Sequence, residues 1–190
     1  MLLLAFIPVV ACQGLLRDGI ETWMPSYIAD TFPIGNALAI LSNVVIPIFA
    51  VVCRELATRL YRIMKNELQC SLLFFGVAGL SFASLLLFRS VSPMLSVVLF
   101  ALAGGCMHGV NTILTCFVPR RFMRFGRTSL VAGLLNSGTY IGSALSSYGV
   151  AVIATRLGWN ASIVTWIAVV ALACALCVIF SQRWRAFIHS

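Results

Sequence analysis

Charge is what this sequence has least of. Only 9% of its 190 residues are Asp, Glu, Lys or Arg, five of them acidic, while 61% are hydrophobic. A water-soluble surface ordinarily draws about a quarter of a chain's residues from that charged set, so a soluble globular domain is excluded. Uncharged, mostly apolar runs fall at 2–28 (interrupted by Arg17, Asp18 and Glu21), 34–53, 70–88, 94–118, 128–155 and 161–182. Each reaches or approaches the ~20 residues that cross ~30 Å of hydrocarbon as a helix. The expected fold is therefore all-α: a polytopic membrane protein of six transmembrane helices, forming a single bundle over 1–190. Mean hydropathy is +1.03, as such a bundle requires.

Other absences narrow the function. No positive residue precedes the first apolar run, so "VVAC" at 9–12 is read as part of a spanning helix and not as a cleaved leader. The seven cysteines (12, 53, 70, 106, 116, 174, 177) lie within helices or at their ends, and Cys174 and Cys177 have no His or acidic neighbours. Packing suits them better than metal or redox chemistry, and no cofactor or metal is expected. The stretch "LNSGTY" has Leu135 where an intramembrane serine nucleophile motif would need its first glycine, which argues against an enzyme. There is no soluble linker and no low-complexity tract.

What charge there is has a pattern. With the N-terminus on the cytoplasmic side, one face carries Arg54, Arg59, Arg62, Lys65, Arg120, Arg121, Arg124, Arg127, Arg183 and Arg185. The other carries only Arg89 and Arg156. That asymmetry places both termini in the cytoplasm by the positive-inside rule. It also explains the net charge of +8 through anionic headgroups, with no need for nucleic acid.

Arg17 is the exception, because it lies inside a span. If "WMPSY" (Trp23, Pro25, Tyr27) marks the outer interface, Arg17 is roughly 9–15 Å below it. By the same count His108 stands roughly 22 Å and 16 Å from the ends of its helix, and Tyr140 roughly 20 Å and 24 Å from its own. Three polar side chains on three helices thus share one depth, with Asn111 and Asn136 about a turn further inward. Polar groups gathered at one level mark a cavity in a membrane bundle. A plainer reading stands beside this: Glu21, four residues after Arg17, is placed for an intrahelical ion pair that would merely neutralise it. Asp18 points elsewhere and is given no role. Gly105 and Gly109, and Gly138 and Gly142, are spaced for close helix packing.

These residues resemble a known family. "LLRDGIETWMPSYI" is similar to the seventh helix of the organophosphate:phosphate antiporters of the major facilitator superfamily, a group that includes glycerol-phosphate and hexose-phosphate transporters. Residues 108–160, "HGVNTILTCF…RLGWN", are similar to helices ten and eleven of those proteins. The resemblance covers the carboxy-terminal six helices of a twelve-helix transporter; the amino-terminal half, with a second phosphate-binding arginine, would be a separate partner. It implies a cell-membrane protein, bacterial inner membrane by family habit. Its substrates would be small anions, phosphate esters exchanged for inorganic phosphate by alternating access. It further implies that Arg17 approaches the substrate phosphate, that Tyr140 faces the same cavity, and that His108 stands where some members have a cavity tyrosine. The segment "RELATRLYRIMKNELQ" lacks the Gly-Asp signature common in that loop of the superfamily. A transporter-like sensor of a phosphorylated metabolite, or an inactive half, are the alternatives.

Overall fold

In a computed structural model, residues 2–33, 39–40, 43–88 and 91–189 are described. Among them there is no strand, and six long helices carry the fold: α1 (Phe6–Thr31), α2 (Val45–Met64), α3 (Glu67–Leu87), α4 (Pro93–Thr112), α5 (Thr128–Leu157) and α6 (Trp159–His189). Three segments are long and apolar enough to cross a membrane, at Glu67–Leu87, Pro93–Phe125 and Trp159–Phe187. Of the three, the last is the most apolar and the least buried, with 28% of its span covered against 67% for the segment containing α4. A soluble protein would bury its oiliest helix deepest. The reverse order is what a hydrocarbon solvent produces.

Helix α1 is central, packed against α4, α5 and α6. Its contact with α5 is a meeting of backbones: a Cβ at Gly142 would overlap the Ala11 carbonyl, and one at Gly14 the Thr139 carbonyl. The α2–α4 seam is closed similarly, since a Cβ at Gly105 would stand 2.9 Å from the Phe49 backbone. Where apolar side chains gain nothing over lipid tails, such close approach and its dispersion contacts hold helices together.

The largest departure from the expected boundaries is α2. The expected span 34–53 includes 34–38 and 41–42, which lie outside the described residues, and the helix runs eleven residues past 53. Arg54, Arg59 and Arg62 therefore stand on a helix instead of in a loop. Hydropathy marks where a chain leaves the bilayer, not where its helix ends, and Arg, Glu, Leu and Ala all favour continuation. The Glu55–Arg59 pair, 2.8 Å apart at i,i+4, supports the extension. Lys65 ends α2 in the left-handed conformation (φ 52°), and the Asn66 side chain caps α3 by accepting from the Leu68 and Gln69 amides. The expected loop shrinks to a two-residue corner. Likewise α6 extends to His189, so most of the expected tail is helical.

Prolines explain two local features. After α4 a π-helical turn (Ile113–Phe117) and a last α-turn (Val118–Arg120) follow, the wide turn directly preceding Pro119. Inside α1, Pro25 offers no N–H to the Glu21 carbonyl, and Asn43 Nδ2 donates to that oxygen at 3.1 Å instead.

Candidate functional site

The polar groups of α1 do not pair as expected. Arg17 Nε donates to Asp18 Oδ1 at 2.6 Å, in place of the Arg17–Glu21 pair. Asp18, given no role from sequence, thus holds the central cation, and Ser143 of α5 lies within hydrogen-bonding reach of it. Glu21 turns to another helix, its Oε1 lying 2.5 Å from Nε2 of His108. Helical spacing made the i,i+4 pair possible, but partners from α4 and the adjacent position were better placed.

His108 is held on both sides. Its Nδ1 lies 3.0 Å from Arg54 Nη2, so Glu21, His108 and Arg54 form a chain across α1, α4 and α2. These three residues, with Asn43, Ile46, Pro47, Ala50 and Val51, line a cavity of about 300 Å³. A larger cavity of about 530 Å³ lies beside Trp23, Asp30 and Trp159, and among the described residues no cation lines it. Arg17, Asp18 and Glu21 lie within about one turn of α1, which gathers the two pairs into one cluster. Counted with a neutral imidazole, two guanidinium groups and two carboxylates cancel.

Support beneath the cluster comes from a residue that sequence reasoning missed. Gln13, one turn before Arg17, is fully buried and donates from Nε2 to the Met107 carbonyl at 3.2 Å, fixing α4 just before His108. Its Oε1 and the Oδ1 of Asn111 are buried without a hydrogen-bond partner. The signal available in sequence was a buried-type polar residue at helical spacing from Arg17. Arg54 was missed for a different reason. It was counted with the loop charges, although it directly follows an uncharged run of 31–53.

Tyr140 and Asn136 are not drawn into this cluster. Tyr140 is 68% exposed, and Asn136 is exposed as well. Equal depth did not mean a common face. Gly138, Gly142 and Ser146 turn toward α1, and a residue two positions from Gly138 is rotated about 200° around the helix. Arg17 of α1 and His108 of α4 are held by the α1 carboxylates, while Tyr140 stands exposed on the bundle surface.

A second polar cluster lies at the basic end. The Glu67 carboxylate is fully buried. It accepts from Tyr61 Oη at 2.9 Å, Arg121 Nε at 2.8 Å and Trp184 Nε1 at 2.7 Å. Arg121 also donates to the Lys65 carbonyl at 3.0 Å. Burial, with the adjacent Glu67 charge, pushes the Tyr61 hydroxyl up to about 12. Four segments are tied together by one buried carboxylate with both oxygens engaged, which makes this a clasp.

Among the described residues no group of His, Cys, Asp and Glu could hold a metal ion. Comparison with protein-family models and with curated proteins finds no match for this chain.

Proposed function

We propose that this chain is the carboxy-terminal half of a secondary transporter for small organic anions, of the phosphate-ester class. In this reading six helices span the membrane, both termini are cytoplasmic, and the half rocks against a partner half around a fixed site. The observation that carries it is a cavity lined by Arg54, His108 and Glu21, with the Arg17–Asp18 pair about one turn away on α1, in a mostly apolar bundle. Ionisable groups are costly in lipid and are kept there for transport paths more than for stability. Guanidinium suits a phosphate because its planar fork bonds two oxygens while staying charged. The resemblance of residues 15–28 and 108–160 to organophosphate antiporters supports the choice of anion and an exchange mode. The crowding of Arg59, Arg62, Arg121, Arg124, Arg183 and Arg185 toward one end of the sequence-predicted topology supports the orientation.

The carboxylates belong to the mechanism. Asp18 and Glu21 neutralise the cations while the site is empty, and an arriving anion competes with them for Arg17 and Arg54. The test is counterflow of labelled phosphate in proteoliposomes holding this chain with its amino-terminal half. Arg17→Lys keeps the charge and loses the fork, and should cut exchange by roughly 10–150-fold, the value of one charge-assisted contact. Unchanged exchange in Arg17→Lys would reduce Arg17 to a structural partner of Asp18.

A further inference from the structure

His108 is gripped at both ring nitrogens, and the chemistry of its neighbours decides where its proton sits. Arg54 has donors only and keeps its charge, so Nδ1, 3.0 Å from Arg54 Nη2, must be the accepting lone pair. The one ring proton is then on Nε2, donated to Glu21 Oε1 at 2.5 Å. The imidazole in this arrangement is neutral, and its only open proton site is occupied by Arg54.

We infer that His108 is the proton-coupling site of the transporter, with Arg54 and a proton competing for Nδ1. The inference rests on the anion-transport reading and adds a second cargo to it. An anion entering the cavity draws the Arg54 side chain away from the ring. Nδ1 then takes a proton from a hydronium ion in the cavity water: one O–H bond breaks, one N–H bond forms on the bare lone pair, and a water molecule is left behind. The new imidazolium still donates through Nε2 to Glu21.

Charge accounting shows why the two cargoes travel together. Empty, the cluster holds Arg17 and Arg54 against Asp18 and Glu21, and sums to zero. With a singly charged anion and a proton both bound it again sums to zero. Either cargo alone leaves one uncompensated charge inside a low-dielectric bundle, which is the costly state. The empty and doubly loaded forms are therefore the ones suited to cross. Exchange needs only the doubly loaded form, and the empty form adds proton-driven uptake.

The surroundings of His108 leave few competitors for the proton. From α1 come Glu21 and Asp18, with Arg17 committed to Asp18. From α2 come Arg54 and the Cys53 thiol, which faces Cys106 of α4. The one charged residue of α3, Glu67, is engaged by Arg121, and the Ser143 hydroxyl of α5, beside Asp18, donates to the Thr139 carbonyl. Arg54 is exposed at the cavity, so its release needs no movement of the packed core.

The test is nitrogen NMR in detergent of this chain, with labelled histidine and His189→Gln to leave one signal, co-purified with its unlabelled amino-terminal half. The expected spectrum shows a neutral ring protonated at Nε2. Arg54→Gln should raise the proton affinity of His108 by about tenfold, within the range of coupled sites, and Glu21→Gln should lower it. Inorganic phosphate should do in the native chain what Arg54→Gln does, with up to about half a proton taken up per phosphate bound, the most a tenfold shift gives. A ring protonated at Nδ1, or a proton affinity unmoved in both variants, would overturn the coupling. Phosphate binding without proton uptake would also overturn it while leaving the anion reading intact. No phosphate binding, with the Arg54→Gln and Glu21→Gln shifts present, would overturn the anion reading and leave His108 as a proton site gated by Arg54.

Discussion

The molecule holds two clusters of charge, and they are built on opposite principles. Around Glu67 every oxygen is engaged, three donors converge, and the carboxylate is sealed from any solvent. Around His108 the groups are half-exposed, border a cavity, and lie near buried polar atoms that have no partner. A saturated network is a fastening, since any change in it leaves a buried charge uncompensated. An unsaturated one can exchange partners at little cost. Burial alone would have ranked Glu67 as the more interesting residue; counting unfilled valences reverses the order.

The sharpest way to break this contrast is Glu67→Gln, which leaves Arg121 without its counter-charge. It should cost about 3–5 kcal/mol, seen as a large fall in the thermal midpoint in detergent. Glu21→Gln, removing a carboxylate from the open cluster, should cost less than about 1 kcal/mol in the same assay. Equal losses would mean that the two clusters are not different in kind. Next comes Tyr61→Phe, deleting one hydrogen bond to a charged acceptor, at about 1.5–3 kcal/mol.

The same tyrosine gives the contrast a pH signature. Its hydroxyl ionises near 10 when unfolded and at about 12 in the fold. Stability from Tyr61 is therefore complete below pH 10 and is lost as pH rises from 10 to 12. Stability curves of the native chain and of Tyr61→Phe should converge over that window, and parallel curves would remove Tyr61 from the clasp. The last comparison concerns the seam between α1 and α5. Gly142→Ala places a methyl on the Ala11 carbonyl and should cost about 1–3 kcal/mol. Gly76→Ala meets nothing within 4 Å and should be neutral or slightly stabilising. Equal melting points for the two would show that the α1–α5 contact is loose.

Much of this was legible in the chain itself. Apolar runs located α1 and α3 to α5 to within a few residues, while α6 outlasts its run by seven; in lipid the solvent boundary and the helix boundary nearly coincide. They coincide less at α2, where the helix runs into the basic end and keeps its own preferences. Arg17 and His108 announced themselves as polar residues in oily surroundings. Their partners did not: Asp18, Arg54 and Gln13 are ordinary in composition, and only their rotation about each helix axis makes them neighbours. Tyr140 stands apart from these residues for the same reason, since one-dimensional spacing gives depth readily and azimuth only when a stripe of small residues fixes it.

That α2 outlasts its apolar segment joins the two clusters by a single shaft. Arg54 and Tyr61 are seven residues apart, about 10 Å along the axis and nearly the same azimuth. One end of the shaft touches His108, and the other is keyed to Glu67. Torque on α2 strong enough to swing Arg54 off the imidazole would also have to unkey Tyr61. The guanidinium must then leave by turning about its own side-chain bonds, and a motion that small is fast, leaving the backbone free to set the pace of any larger rearrangement.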